Sequence, residues 1–458
     1  MIEEVLVERW EQVIDHNAFS DITDPYRRYC MARILENTNA ERGRELLGHG
    51  GAEQRRTLLS LNESSPTNVM GASSSTAGAG PIDIYDPILI GLVRRAMPKL
   101  IAYDVCGVQP MKGPTGTIFA LRGRYSSQND ARGELFYNEA NTSFSATAAG
   151  NTTHQSANSQ WTAQTGTDVS VVPASGSYTV AHGFNTLFSE LLGKDTGNEM
   201  QEVGITVDKV TVEAKARALK ATYSVELAQD LMAIHGLSAE TELSNFITNE
   251  ILAEINREVI RTIYLTATVG AQGKQTNGIF NLNVDADGRW SGEKVKGLLL
   301  QIGFEANEIA KDTRFGKGNL IICSSNIATA LDMAGALDYS PELAQKLNVD
   351  DTGNTFAGVL RNGMKVFIDP YHKTTTNSHF VTVGYRGDSP WDAGLFYCPY
   401  VPLMFAKAIT PNGLQPVIGF KTRYGLVANP FATSAGNGTV STANKNRYYR
   451  IMAVTNLL

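Results

Sequence analysis

The chain has 458 residues, enough for about three domains and a large buried core. Its 42% hydrophobic and 19% charged residues are typical of a globular protein, which argues against a fibrous or wholly disordered chain. The formal net charge of −6 argues against a protein that binds nucleic acid through an overall basic surface.

Residues 1–63 form a charge-rich segment in which two helices are predicted. The segment has 12 acidic residues against 8 arginines and no lysine, so its net charge is −4. Apolar residues at helical spacing mark a first helix before Pro25 and a second one after it. We therefore expect a separable helical unit at this end of the chain.

The composition changes abruptly at Leu61. Residues 71–80 consist only of Gly, Ala, Ser and Thr, which is typical of a linker or extended arm. A short helix is predicted over residues 87–97, and residues 101–109 have the pattern of an extended segment.

Two predicted strands bracket a long insertion. The first covers residues 117–122, and the second is an alternating pattern over residues 204–226. Residues 126–204 between them are small and polar over much of their length, which indicates an insertion that projects from a hairpin. A two-stranded arm is only marginally stable alone, so it is expected to lie on a neighbouring molecule.

The longest helical pattern in the chain covers residues 239–267. Its apolar residues recur every four positions and form one stripe, at Leu243, Ile247, Ile251, Ile255, Val259 and Ile263. We expect two ion pairs on its solvent face, one between Glu254 and Arg257 and one between Glu258 and Arg261. A helix of this length is predicted to act as a spine for the rest of the fold.

The remainder of the chain has a mixed α/β pattern. A helix is predicted over residues 295–309, and a second one begins near Ser324 and runs towards Met333. Six strands are predicted over residues 320–323, 365–369, 379–385, 394–398, 416–427 and 448–454.

Three basic residues of the second bracketing strand are candidate contact residues. Lys209, Lys215 and Arg217 have the same parity, so they would share one face of a flat strand. This basic stripe could contact an acidic neighbouring subunit or DNA phosphates, or it could be an ordinary solvent-facing surface. Interleaved aromatic residues are missing, which argues against single-stranded nucleic acid as the ligand.

The usual catalytic and cofactor-binding motifs are not found. The glycine-rich residues 316–319 lack the frame of a phosphate-binding loop, and Asp285 and Asp287 lack the rest of a calcium loop. The seven histidines and four cysteines are too scattered for a metal site or a disulfide framework. No stretch approaches the ~18 apolar residues of a membrane span. We therefore expect neither an enzyme, a cofactor nor a membrane protein.

Several longer stretches resemble the major capsid proteins of T-even-type tailed phages. They are residues 101–110 (IAYDVCGVQP), 113–116 (GPTG), 389–403 (SPWDAGLFYCPYVPL), 418–425 (IGFKTRYG) and 429–431 (NPF). The resemblance extends over nearly the whole chain and is weakest over residues 126–200.

The resemblance implies an α+β fold of the Hong Kong 97 capsid type. Its parts would be an N-terminal pro-segment (1–63), an N-terminal arm (64–110), an extended loop (111–226) with an insertion (126–204), a peripheral domain (227–310) with the spine helix 239–267, and an axial domain (311–458) whose C-terminal strands partly return to the peripheral domain.

The implied function is that of a structural subunit in an icosahedral or prolate phage head. Copies would form hexameric capsomers and a shell around double-stranded DNA, after assembly in the cytoplasm of a bacterial host. The implied partners are a vertex protein, a scaffold, a prohead protease, a chaperonin and decoration proteins. The protease would cut after Glu63, because Leu61, Glu63 and Ser64 match its preference for Leu or Ile, any residue, Glu and a small residue.

Three other interpretations remain open. The chain could be the paralogous vertex protein, which forms pentamers in place of hexamers. It could form a host-derived nanocompartment shell of the same fold, or it could be a soluble α/β enzyme. Imaging of the purified protein would separate shells or capsomers from a monomeric enzyme.

Overall fold

The residues described by the computed structural model are 2–15, 22, 24–48, 99–125, 135, 140, 142, 144–145, 183, 186–194, 200–286, 290–335, 337–338, 355–371, 378–409, 415–429 and 443–457.

These residues form a mixed α+β structure. The helices are α1 (Ile2–Ile14), α2 (Pro25–Gly48), α3 (Ala102–Val105), α4 (Thr186–Leu191), α5 (Val225–His235), α6 (Ala239–Thr266), α7 (Ser291–Thr313) and α8 (Ser325–Met333). The strands are β1 (Gly107–Val108), β2 (Thr115–Tyr125), β3 (Val203–Glu213), β4 (Lys215–Thr222), β5 (Ala267–Val269), β6 (Ile279–Asn281), β7 (Leu320–Ser324), β8 (Leu337–Asp338), β9 (Thr355–Leu360), β10 (Lys365–Asp369), β11 (Ser378–Gly384), β12 (Leu395–Ile409), β13 (Pro416–Ala428) and β14 (Asn446–Thr455).

The chain divides into two compact units. The larger unit, here called the body, comprises Met1–Ile118, Val210–Lys311 and Phe315–Leu458. The smaller unit, here called the arm, comprises Phe119–Lys209 and Asp312–Arg314. Most of β2 and β3 belongs to the arm, where they pair in a two-stranded ribbon.

A large sheet lies in the part of the body that follows α6. Its strand order is β5-β14-β11-β7-β10-β9-β8, and β6 also pairs with β14. Every residue of β7 is buried, because this strand lies between β11 and β10 and carries the apolar run LIICS. A continuous apolar run is typical of a strand that is covered on both faces.

A second sheet joins distant parts of the chain in the order β1-β12-β13-β4. Gly425 on β13 lets the end of β3 pass close by, because a Cβ at this position would lie 2.4 Å from Cγ1 of Val212. The chain turns at Ala214, whose N–H donates to the carbonyl of Pro114 at 2.8 Å. The single strand predicted over residues 204–226 is therefore wrong: two strands in different sheets and the start of α5 replace it.

The predicted long helix is observed as α6, and its apolar stripe is buried from Ile247 to Ile263. Asn256 fixes the helix to the chain near α3, because its side chain accepts from the N–H of Ile101 at 3.0 Å and donates to the carbonyl of Lys99 at 2.9 Å. The extended segment predicted over residues 101–109 is only partly correct, since its first half forms α3.

The N-terminal helices pack into the core of the body and do not form a compact unit of their own in this structure. Side chains of α1 and α2 belong to the same apolar core as the strands of the body, and Trp10, Ile14, Cys30, Met31 and Leu35 are at most 2% exposed. The sequence pattern predicts an apolar face on each helix but does not predict what each face contacts. In the structure α1 packs against α2, and α2 also packs against β12 of the body.

Candidate functional site

The ribbon of the arm has a row of exposed apolar side chains on one face, here called the ribbon face. Phe119 and Leu121 on β2 and Ile205 and Val207 on β3 are 57–68% exposed. Val203 lies on the same side of β3 and is equally open. Large apolar side chains in a contiguous row commonly mark a surface that binds another protein.

The pleat of the two strands explains why these residues share a face. Side chains alternate between the two faces along a strand, so odd-numbered residues of β3 point one way and even-numbered residues the other. Arg124 of β2 donates from Nε to the hydroxyl of Thr206 at 3.3 Å, which places the even-numbered residues of both strands on one face. The odd-numbered apolar residues therefore lie together on the opposite face.

Lys209 lies at the end of this ribbon face, two residues beyond Val207. Its side chain is exposed. An exposed cation at the rim of an apolar row can guide an acidic partner into register, because charges at the edge of a contact act mainly on orientation and association rate.

Helix α5 in the body presents a second exposed apolar surface, here called the α5 flanks. None of its residues is buried. Val225 and Met232 are seven residues apart and lie on one flank, whereas Leu227 and Ile234 have the same spacing on the other flank. All four are 49–75% exposed.

Local signals fix the ends of α5. The side chain of Ser224 accepts a hydrogen bond from the N–H of Leu227 at 3.2 Å, and Gly236 ends the helix with a φ of +66°. Both signals are present in the sequence, so the helix could have been predicted from Ser224 and Gly236. Ser224 is instead assigned to the strand predicted over residues 204–226, because the alternating pattern of apolar residues is extended that far.

Arg217, one of the three predicted contact residues, is held by the chain's own side chains. Its guanidinium contacts Glu254 at 2.8 Å and Glu258 at 2.5 Å on α6, and its Nε donates to the hydroxyl of Tyr424 at 2.5 Å. Burial alone would lower the pKa of Arg217, but the hydrogen bonds with Glu258 and Tyr424 raise it above its ordinary value. The geometry makes Arg217 a connection between β4, β13 and α6.

The ion pairs predicted within α6 are replaced by contacts to other elements. Glu254 and Glu258 pair with Arg217, and Arg257 pairs with Asp369 at the end of β10. Asp369 is 2% exposed, and the hydroxyl of Tyr264 also donates to it at 3.0 Å. Burial, followed by the charge of Asp369, raises the pKa of Tyr264. The face of α6 that is predicted to face solvent therefore partly contacts other elements of the same chain.

The predicted basic stripe is divided by the turn at Ala214. Lys209 lies on β3, whereas Lys215 and Arg217 lie on β4, which pairs with β13. Lys215 is exposed. A single flat strand carrying all three residues is therefore not formed, and their role in contacts between subunits remains a prediction.

The predicted processing site lies outside the described residues. It comprises Leu61, Glu63 and Ser64. Within the described part of the chain, no three His, Cys, Asp or Glu side chains gather in a way that could hold a metal ion. None of the helices found there has the length and apolar character needed to cross a membrane.

Comparison with known proteins gives a match to one family. Residues 82–454 match the family described as "Major capsid protein Gp23". The chain is 44% identical to the major capsid protein of Salmonella phage ViI over 376 residues, which cover 80% of this chain and 81% of that protein. It is 36% identical to the major capsid protein of Vibrio phage KVP40 over 99% of this chain and 100% of that protein.

Two further similarities are weaker. The capsid vertex protein of Enterobacteria phage T4 is 26% identical over 254 residues, which cover 53% of this chain and 56% of that protein. A chain from "The capsid of Myoviridae Phage XM1" aligns with a TM-score of 0.39 and 8% identity, over 78% of this chain and 92% of that chain.

Proposed function

The chain belongs to the Gp23 family of major capsid proteins, and from this premise we propose that it forms hexameric capsomers with copies of itself. The protein is a structural component of the virion capsid and is not an enzyme.

The exposed ribbon face is the main structural support for association between copies of this chain. A two-stranded ribbon with five large apolar side chains open on one face gains stability when that face is covered. A second copy of this chain is the partner that a shell supplies at every position. Lys209 would then lie at the rim of this contact and select an acidic region of the neighbour.

The α5 flanks are a second candidate contact between copies. Rings of identical subunits form through heterologous contacts, in which two different surfaces of each copy meet. One of the α5 flanks could supply one of these surfaces. Lys215 is exposed on β4, in the same unit as α5, and could supply charge to such a contact. Arg217 is occupied within its own chain, so its contribution would be to hold β4 in place.

We assign the elements to an architecture of the Hong Kong 97 type. In this assignment α6 is the spine helix of a peripheral domain over residues 227–310. The β2–β3 ribbon is the extended loop of residues 111–226, which carries the insertion over residues 126–204. Residues 311–458 form the axial domain, and residues 64–110 form the N-terminal arm.

Maturation would remove residues 1–63 by cleavage after Glu63. The same family resemblance supports a scaffold, a prohead protease, a chaperonin, decoration proteins and a vertex protein as partners. Packaged double-stranded DNA would face the inner wall without sequence-specific binding. The whole chain carries −6 and residues 1–63 carry −4, so the processed chain would carry −2. A weakly negative wall favours this role, because it does not bind DNA tightly.

The second candidate function is that of a vertex protein, which forms pentamers. The hexameric alternative is favoured because similarity to a major capsid protein covers 99% of this chain, whereas similarity to a vertex protein covers 53%. Electron microscopy of purified assemblies distinguishes them, since capsomers of the two types have sixfold or fivefold symmetry.

Charge substitutions on the ribbon face test the proposal directly. We expect Ile205→Asp and Leu121→Asp to abolish shells and sheets in negative-stain images, while circular dichroism of the subunit is unchanged. Asn307→Asp places a charge at another exposed position, on α7, and should assemble normally. Shells from Ile205→Asp that match the unmodified protein in number would exclude the ribbon face as a contact.

A further inference from the structure

The helix pair α1–α2 is held on the body by specific polar contacts as well as by apolar packing. The side-chain amide of Asn37 is buried and donates to two carbonyl oxygens of the body, those of Met111 at 2.7 Å and Tyr400 at 2.9 Å. These two carbonyls belong to neighbouring stretches of chain, because the N–H of Met111 donates to the carbonyl of Pro399 at 3.0 Å. One side chain of α2 therefore bridges two segments of the body.

Two more contacts orient the start of α2. The hydroxyl of Tyr26 donates to the carbonyl of Val108 on β1. Arg27 pairs with Asp104 of α3 at 2.7 Å, and its guanidinium lies 6.0 Å from the centre of the Tyr103 ring. The contacts from Tyr26 to Asn37 span three turns of α2, so the helix is fixed along its length as well as at one end.

The pair is also held together internally, so it can behave as one piece. Glu36 of α2 accepts from the indole of Trp10 at 3.0 Å and pairs with Arg9 at 3.0 Å. Asp15, which directly follows α1, pairs with Arg28. Because α1 packs on α2 and Trp10 is bonded to Glu36, the two helices need not unfold from each other when the pair leaves the body.

No residue of α2 that makes these contacts is close in sequence to the proposed cleavage point. Asn37 precedes Glu63 by 26 residues, and the body resumes at Lys99 in the described part of the chain. Cutting one peptide bond after Glu63 removes the covalent tether and leaves each of these contacts unchanged. Cleavage and departure of the segment are therefore separate events.

We propose that residues 1–63 remain docked on the body after cleavage, as a non-covalent ligand of the surface formed by Asp104, Val108, Met111 and Tyr400. This inference rests on the proposed removal of residues 1–63. The departure of α1–α2, and not the cut itself, uncovers that surface. Docking thereby gives the shell a step between proteolysis and rearrangement that depends on the strength of the α2 contacts.

Cys30 provides an internal reporter of docking. Its side chain is fully buried in the assembled body, and burial raises its pKa to about 12. A thiol in this state reacts slowly with alkylating reagents. Cys30 lies close to Tyr103 of α3, so release of the helix pair from the body should speed its alkylation. Mass spectrometry of the 1–63 fragment measures Cys30 alone, since the other three cysteines lie beyond Glu63.

The test uses the full chain with a site-specific protease sequence inserted between Glu63 and Ser64. After cutting, the 1–63 fragment should elute with the rest of the chain in size-exclusion chromatography, and Cys30 should stay protected from iodoacetamide. Asn37→Ala, which removes two buried hydrogen bonds, should raise the release rate about tenfold or more. Tyr26→Phe removes one hydrogen bond and should have a smaller effect in the same direction.

Gln229→Ala, an exposed amide on α5, is the matched control and should release the fragment as the unmodified chain does. The proposal is overturned if the fragment separates from the unmodified chain during one column run, or if Asn37→Ala and Tyr26→Phe leave its release rate unchanged. Shell formation by the uncut chain is scored separately by electron microscopy. A failure to form shells would count against the proposed function and not against docking.

Discussion

Glu305 on α7 and Arg450 on β14 form an ion pair, with 2.7 Å between Oε2 and Nε and side chains only 4% and 8% exposed. The other carboxylate oxygen of Glu305 accepts from the N–H of Ala271 and from the side chain of Gln301, both at 2.7 Å. Because the charge is paired and hydrogen-bonded, the pair is tolerated in the core.

Removal of one partner should leave an unpaired charge in the core. We expect Glu305→Ala to lower the free energy of unfolding by about 3–5 kcal/mol, measured by urea denaturation. Glu308→Ala is the control, because Glu308 forms an exposed pair with Lys311 in the same helix and should cost less than about 0.5 kcal/mol. Equal effects of the two substitutions would contradict this role of Glu305.

The contacts of Arg217 predict a dependence on the shape of its side chain. Arg217→Lys keeps the charge but cannot contact Glu254, Glu258 and Tyr424 together, so we expect a loss of about 1–2 kcal/mol. Lys215→Ala, two residues away and exposed, should change stability by less than about 0.5 kcal/mol. Added salt should reduce the difference in stability between the unmodified chain and the Arg217→Lys variant, because the groups are partly open to solvent.

Asp392 gives the body a defined dependence on pH. Burial, together with the charge of Asp388, raises the pKa of Asp392, although the hydrogen bond from the hydroxyl of Tyr385 at 2.7 Å opposes the shift. Its Oδ1 is buried and has no hydrogen-bond partner among the described residues. Ionised Asp392 is therefore less favourable in the folded chain than in the unfolded one.

The sign of this effect follows from proton linkage. Below the unfolded pKa of about 4 both states are protonated and the residue has no effect. As the pH rises from there to the raised folded pKa, the unfolded state loses its proton first and the free energy of unfolding falls. Asp392→Asn should remove this fall, so its stability relative to the unmodified chain should be higher at pH 7 than at pH 3. Thermal denaturation at both values would show it, and an equal difference at both would contradict it.

The proposed processing site predicts a block in maturation. Glu63→Gln removes the charge that the protease would recognise, so heads should assemble but retain residues 1–63. Gel electrophoresis of purified particles measures the mass of the chain, and Glu53→Gln, an acid outside the motif, is the control. A shortened chain in DNA-filled Glu63→Gln particles would exclude cleavage at this bond.

The elements with a clear period were predicted well from the sequence. Helix α6 follows the stripe from Ile247 to Ile263, and β7 coincides with the apolar run that begins at Leu320. In these segments local preference and tertiary packing favour the same structure, so a pattern of apolar residues is sufficient.

Other features depend on partners that a local pattern does not contain. The turn at Ala214 occurs because β4 pairs with β13, some 200 residues further along the chain. The strand pattern alone places Arg217 on a solvent-facing stripe, because its partners Glu254 and Glu258 lie on another element. The apolar faces of α1 and α2 were predicted, but their place on the body was not, since periodicity gives a face and not its partner.

The parallel pairing of β1 with β12 has a consequence for synthesis of the protein. Gly107 lies opposite Phe396, so this register cannot form until nearly the whole polypeptide has left the ribosome. Until then the early apolar segments are exposed to other nascent chains, which favours aggregation. The four-stranded sheet thus makes completion of the native state a post-translational event.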